Sequence, residues 1–219
     1  MRKQPKQQRA RQTLDHFYEA TAQLLQSGES NTVTTNHIAD RAGFSIGTLY
    51  RYFPNKRAIL HGLAMREMER QEAAALAMLE ASEGTTGREL VRQLIDFHLN
   101  AFGGRSRTRR RMILNMINDR DATKLIVRAQ RGQVRLLRLL QDMLAAREPD
   151  RYRKLTDSQL HIVSAGLSGA IRVSVLTAPE ILEDSCFGRD LSDLVERSFL
   201  RLADADTLAD IGSHASSSG

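Results

Sequence analysis

Residues 33–60 read VTTNHIADRAGFSIGTLYRYFPNKRAIL, and the spacing of caps, glycine and proline in that stretch decides the fold. Thr34 or Thr35 can cap a short helix that ends at Ala42, and Gly43 permits a sharp turn after it. Ser45 can cap a third helix that runs to Phe53 and is stopped by Pro54. Asn55 then caps a long fourth helix, through about Ala81, whose buried face starts with Ile59, Leu60, Leu63 and Ala64. A helix of about eight residues, a glycine turn and a second short helix make a helix-turn-helix pattern. Ala39 and Ala42 are small where the two helices must cross closely. Ile38, Phe44, Leu49 and Phe53 can fill the core beneath. Ile46, Gly47, Thr48, Tyr50, Arg51 and Tyr52 are left on the outer sides of the second helix. A helix of this size fits the major groove of DNA, where each base pair displays a distinct set of donors and acceptors.

The same 3.6-residue period extends outward in both directions. Upstream, Leu14, Phe17, Thr21, Leu24 and Leu25 line one side of a first helix that stops near Ser27-Gly28. Downstream, Ser82 to Gly87 reads as a linker, followed by helices at about 87–102, 106–118 and 121–146. Thr156-Asp157-Ser158-Gln159 fits a capping box, so a further helix starts there and runs to about Thr177 before Pro179. A ninth helix is expected over about 189–204, and the tail GSHASSSG has the composition of a disordered end. Strand signals are scarce, with aromatics at 5%. The expected fold is all-α, with about nine helices in a homodimer. It divides into a basic arm (1–8), a three-helix DNA-binding domain (9–57, its helix-turn-helix at about 34–53), a helical ligand-binding and dimerisation domain (58–206) and a tail (207–219).

Charge supports this division. The chain of 219 residues carries a net +6. Residues 1–57 hold nine Lys/Arg against four Asp/Glu, and the remainder is nearly balanced. Arg2, Lys3, Lys6, Arg9 and Arg11 form an arm suited to a polyanion or, equally, to solvent. Cys186 is the single cysteine, so no intrachain disulfide forms and a cytoplasmic location is the simplest expectation. No apolar run reaches the roughly 18–20 residues of a membrane span, and no membrane partner is expected. No histidines pair at i,i+3 or i,i+4, and no nucleophile-elbow, P-loop or Rossmann glycine pattern occurs. Neither a metal site, a cofactor nor an enzyme is therefore expected.

Residues 9–60 resemble the DNA-binding domain of TetR-family regulators. The resemblance rests on the Thr34-Thr35 start, Ile38-Ala39-Asp40-Arg41-Ala42-Gly43, Ser45-Ile46-Gly47-Thr48-Leu49-Tyr50-Arg51-Tyr52-Phe53 and the Pro54-Asn55-Lys56 exit. It implies a repressor that binds a palindromic operator in double-stranded DNA as a dimer and is released by a small-molecule effector. Activator or dual regulator is the alternative within the family, and nonspecific nucleic-acid binding the alternative outside it. The resemblance makes Thr35 a phosphate contact and gives Asn36 the next, base-facing position. Thr34 and Ser45 stand beside them at the two helix starts. Ile46, Gly47 and Thr48 lie at the groove-facing start of the recognition helix, Arg51 reads guanine, and Tyr50 and Tyr52 bond phosphate. Lys56 opposes the dipole of the helix it begins, a placement that makes sense if a phosphate docks there.

Family layout also places an effector inside the bundle, with Phe97, His98, Phe102, Met112, Met116 and Ile117 as candidates. The last two helices are expected to form the dimer interface, through Gly166, Gly169, Leu191, Leu194, Val195 and Phe199. Arg128, Arg131, Arg135 and Arg138 form a stripe at helical spacing, read as a solvated face or as an attractor for an anionic effector.

Overall fold

The computed structural model describes residues 4–27, 33–101 and 122–201, and among these every regular element is helical. They are α1 (Gln4–Gln26), α2 (Thr35–Ala42), α3 (Ile46–Tyr52), α4 (Lys56–Glu80), α5 (Gly87–Ala101), α6 (Ala122–Arg147), α7 (Asp157–Thr177), a 3-10 turn (Pro179–Glu183) and α8 (Ser185–Phe199). The expected helix at 106–118 lies outside the described residues. The basic arm does not stand apart from residue 4 onward, because α1 already begins at Gln4.

Local chemistry sets these boundaries. Thr34 accepts from the His37 amide and Ser45 from that of Thr48, while Asn55 Oδ1 accepts from Ala58 at 2.9 Å. Each satisfies an amide that the first helical turn leaves unpaired. Gly43 ends α2 in the left-handed region (φ 76°), with its amide bonded back to Asp40 and Phe44's to Ala39. Thr156 and Gln159 form the reciprocal capping box at the start of α7.

The last helix differs from the sequence expectation at both ends. Asp184 caps it through the Cys186 amide at 2.8 Å, so it starts at Ser185, not near 189. It stops at Phe199 because Arg151–Arg153 pairs with the chain there. Arg153 donates its amide to Phe199 O at 2.8 Å and Arg201 donates to Arg151 O at 3.0 Å.

Two buried clusters form. The lower one joins α1, α2, α3 and the first turns of α4 around Phe17, Ile38, Leu49, Phe53, Ile59 and Leu63, and also takes in Leu125 from α6. The upper one joins α4 to α8 around Leu79, Leu90, Leu94, Leu137, Leu140, Leu160, Ile171 and Phe199. α4 contributes several residues to each, and α6, which supplies much of the upper cluster, reaches the lower one through Leu125 alone. α7 is long and apolar enough, by length and composition, to cross a bilayer. Its apolar residues are interrupted by Ser164, Ser168 and Arg172, so it contains no unbroken apolar run of that length. Here it packs against α6, the 3-10 turn and α8, with only 28% of its most apolar window buried.

The seam between α1 and α4 depends on a missing side chain. A Cβ at Gly62 would overlap the Tyr18 hydroxyl oxygen and come within 2.8 Å of its ring carbon Cζ. Tyr18 in turn meets Phe53 edge-on at 5.6 Å. Its neighbour Arg66 pairs with Asp15 at 2.6 Å. Gly62→Ala should therefore destabilise the chain by about 1–3 kcal/mol, the usual range for overpacking. Urea denaturation monitored by circular dichroism measures this. An unchanged midpoint would show that Tyr18 moves aside without cost.

Candidate nucleic-acid interface and effector domain

The reading surface is built from α2 and α3. Leu49 is fully buried and Phe53 nearly so, which fixes the rotation of α3 about its axis. That rotation leaves Ile46 37% and Tyr50 53% exposed, with Gly47 and Arg51 exposed beside them. A Cβ at Gly47 would meet only Ser45 Oγ, at 3.9 Å, so the backbone there is open to close approach. Thr48 is half-buried, with its hydroxyl 3.0 Å from that of Ser45. Asn36 is exposed on the first turn of α2. The hydroxyls of Thr35 and Tyr50 lie 3.3 Å apart, linking the starts of the two helices. Thr34 and Ser45 are the caps described above, so one acceptor lone pair of each is already used. Tyr52 is half-buried against Phe17, with ring centroids 6.1 Å apart, which ties its ring to packing. Phe44 likewise leans on Phe17 at 5.2 Å.

Lys56 has a partner that sequence spacing did not reveal. Its ammonium donates to Val33 O at 2.9 Å, bracing the start of α4 against the approach to α2. Ammonium has three donors, so two remain for a phosphate. Lys56→Ala should lower DNA affinity by a similar factor for all sequences. It should also reduce the slope of log affinity against log salt by about one. Lower thermal stability with an unchanged salt slope would instead confine Lys56 to the brace. Electrophoretic mobility shifts across a salt series, paired with thermal melts, separate the two.

The bundle residues fall into three groups. Phe102, Met112, Met116 and Ile117 lie outside the described residues, as do Arg105 to Arg111. Phe97 is half-buried against the upper core. His98 is 6% exposed, with Nδ1 3.0 Å from Leu94 O. Burial pushes its pKa down, and the bond to the Leu94 carbonyl opposes this only in part. Of the residues expected at a dimer interface, Leu191, Val195 and Phe199 turn into the chain's own core, at 6% exposure or less. Gly166 and Gly169 are open, with nothing within 4 Å of a Cβ. Leu194 is 65% exposed, and Ile162, Val173 and Leu176 of α7 join it on the surface.

The arginine stripe is largely engaged within the chain. Arg128 Nη2 reaches Glu72 Oε2 at 2.8 Å, Arg135 grips Glu72 Oε1, and Arg138 pairs with Asp157 at 2.7 Å. Glu72 projects from α4 and is 8% exposed. A Cβ at Gly132 would lie 3.4 Å from its carboxyl carbon, so the glycine gives the carboxylate its place. Burial raises the pKa of Glu72, but the hydrogen bonds and charges of Arg128 and Arg135 outweigh it and leave a net lowering. A carboxyl lowered in the folded state stabilises the fold above its unfolded pKa, ordinarily 4.5. That stability disappears as pH falls through the folded value. Glu72→Gln should cost about 1–2 kcal/mol near neutral pH, a modest figure because both arginines remain partly solvated. The difference from wild type should shrink as pH falls below the ordinary carboxyl value of 4.5. Parallel urea titrations at several pH values check this. A pH-independent difference would mean that shape, not charge, holds the site.

Residues 17–63 match the family described as bacterial regulatory proteins, tetR family. The transcriptional repressor KstR of Mycolicibacterium smegmatis is 38% identical over 71 residues, covering 31% of this chain and 35% of that protein. KstR of Rhodococcus jostii is 42% identical over 52 residues, 24% of each chain. The matched stretches thus span a quarter to a third of those relatives' lengths. Likeness of fold extends further. The fatty acid degradation regulator FadR of Bacillus halodurans superimposes with a TM-score of 0.60 at 17% identity, over 84% of this chain and 94% of that one. FadR of Bacillus subtilis, solved with stearoyl-CoA, gives 0.60 at 18% identity over 83% and 95%. NemR of Escherichia coli, in its reduced form, gives 0.62 at 17% identity over 87% and 100%. Residues 17–63 thus match the tetR family of bacterial regulatory proteins, and the described residues share the fold of the FadR and NemR structures.

Proposed function

We propose that the chain is a sequence-specific transcription regulator, acting in the cytoplasm as a repressor. It binds a palindromic operator as a homodimer and leaves it when a small molecule enters the upper bundle. The observation that carries this reading is the exposed face of α3. Ile46, Gly47, Tyr50 and Arg51 are displayed in one patch over a fixed core, inside the segment that matches the family. Ile46 and Thr48 suit thymine methyls, and Arg51 suits the paired acceptors of guanine. Thr35, Tyr50 and the free donors of Lys56 suit phosphate, which positions a protein without reading sequence. The related repressors support the sign of regulation, and the stearoyl-CoA complex of a protein with this fold supports an effector.

A dimer is required mechanically, because one recognition helix reads only a few base pairs. Two of them about 34 Å apart read successive faces of the groove. The surface of α7 suits that partner. Ile162, Val173, Leu176 and, on α8, Leu194 are each more than half exposed, and Gly166 and Gly169 allow a second backbone to approach. Exposed apolar side chains of this kind suit an interface.

Selection of bound sites from a random DNA pool, at near-physiological salt, tests the reading. Wild type should recover a palindrome, and Arg51→Ala should relax one position in each half-site, losing about 1–3 kcal/mol of discrimination there. Leu176→Glu with Leu194→Glu should leave a folded monomer that recovers no palindrome. Recovery of no motif by wild type would replace this reading with nonspecific nucleic-acid binding.

A further inference from the structure

Midway through the upper bundle lies a polar layer that the fold alone does not satisfy. Gln133 of α6 is 5% exposed. Its Oε1 accepts from Ser164 at 3.3 Å and also from Ser168, both on α7. Its Nε2 is buried and has no partner, and the same is true of Nε2 of Gln130 one turn away. Turning the Gln133 amide over does not help. The two hydroxyls would then accept from nitrogen, and the oxygen would be the stranded end. A buried donor without a partner costs about 1–3 kcal/mol, and here two stand at i and i+3 on a single helix, where side chains are neighbours.

α5 packs against α6. A Cβ on Gly87, the first residue of α5, would touch Leu144 Cδ2 of α6 at 2.9 Å. His98 lies eleven residues along α5 from that point, and Gln133 lies eleven residues back along α6. At about 1.5 Å per residue both sit about 16 Å down the bundle. His98 is buried beside apolar Leu94 and Ile95.

We propose that Gln130 and Gln133, backed by Ser164 and Ser168, form the polar end of the effector site and bind an oxygen acceptor on an uncharged, otherwise apolar molecule. The proposal rests on the reading of the chain as an effector-responsive regulator and names the ligand's chemistry. Amides and hydroxyls carry no charge, and burying a carboxylate without a cation is costly. Arg128, Arg135 and Arg138 are already held by Glu72 and Asp157. A ketone, ester, amide or alcohol oxygen supplies what the two amides lack, and the buried residues of the same two helices, among them Leu136, Leu137, Leu167 and Ile171, are apolar enough to suit its hydrocarbon. Placement between α6 and α7 also explains how such a ligand acts at a distance. α6 carries Leu125 into the lower core and Arg128 and Arg135 onto Glu72 of α4.

The test uses full-length protein, the selected operator, and two probes of equal chain length, 2-nonanone and nonanoate. Calorimetry reads binding and mobility shift reads operator release, for wild type, Gln133→Leu and Gln130→Leu. The ketone should bind wild type more tightly than the carboxylate and weaken the operator complex. Each variant should lose about tenfold in ketone affinity, the value of one buried hydrogen bond. Gln130→Leu, relieved of a stranded amide nitrogen, should melt no lower than wild type without ligand. Operator release by nonanoate but not by the ketone would overturn the uncharged-acceptor site while the effector reading stands. Unchanged ketone affinity in both variants would overturn it too. Failure of both probes to bind, with Gln130→Leu melting lower than wild type, would assign the amides to the fold and sink the proposal. If the operator itself could not be selected, the underlying reading would fall first.

Discussion

One helix, α4, carries several residues into each hydrophobic core, and the rest of the molecule is arranged around that sharing. α4 puts Ile59, Leu63 and Ala64 into the lower core and Ala75 and Leu79 into the upper one. Its first residue, Lys56, is bonded to the strand of chain leading into α2, and its cap, Asn55, follows directly on α3. The recognition helix therefore has little freedom to move unless α4 moves with it. The physical reason is packing. Close-packed interiors pass displacement on because they have no voids to absorb it.

A second connection runs beside the first. α6 seats Leu125 in the lower core and holds Glu72 of α4 with two arginines around Gly132. The ion pairs are directional where the leucines are not, so they fix the register of α4 against α6. A ligand that shifted α6 would thus reach α3 by two routes, one apolar and one ionic. Linkage demands reciprocity: whatever ligand favours release must itself bind more weakly to the DNA-bound form, by the same factor.

Legibility in the sequence followed the range of the interactions involved. Caps and stops act within three or four residues, so Ser45, Asn55, Pro54, Gly43 and the Thr156–Gln159 box were all readable, and with them the helix-turn-helix. The outward face of α3 followed from its period, though Tyr52 turned partly inward onto Phe17, an aromatic thirty-five residues away. Long-range partners were not readable. An apolar stripe at i and i+4 looks the same whether it faces the chain's own core or a second copy. Leu191, Val195 and Phe199 therefore pointed to an interface by pattern and lie in the core by structure. The exposed apolar residues of α7 were hidden among its serines. The arginine stripe posed the same problem with charge, since Glu72 lies 56 residues before Arg128. A stranded amide such as that of Gln133 leaves no trace in a sequence at all.

Native-state hydrogen exchange along α4 tests the shared-helix picture most directly. If both cores hold one helix, amides from Ile59 through Leu79 open together, and their free energies converge on the global stability measured by denaturation. Weaker exchange protection confined to either end, with a break near the middle of the helix, would show two domains that open independently. A movement begun in the bundle would then have no rigid path to the recognition helix.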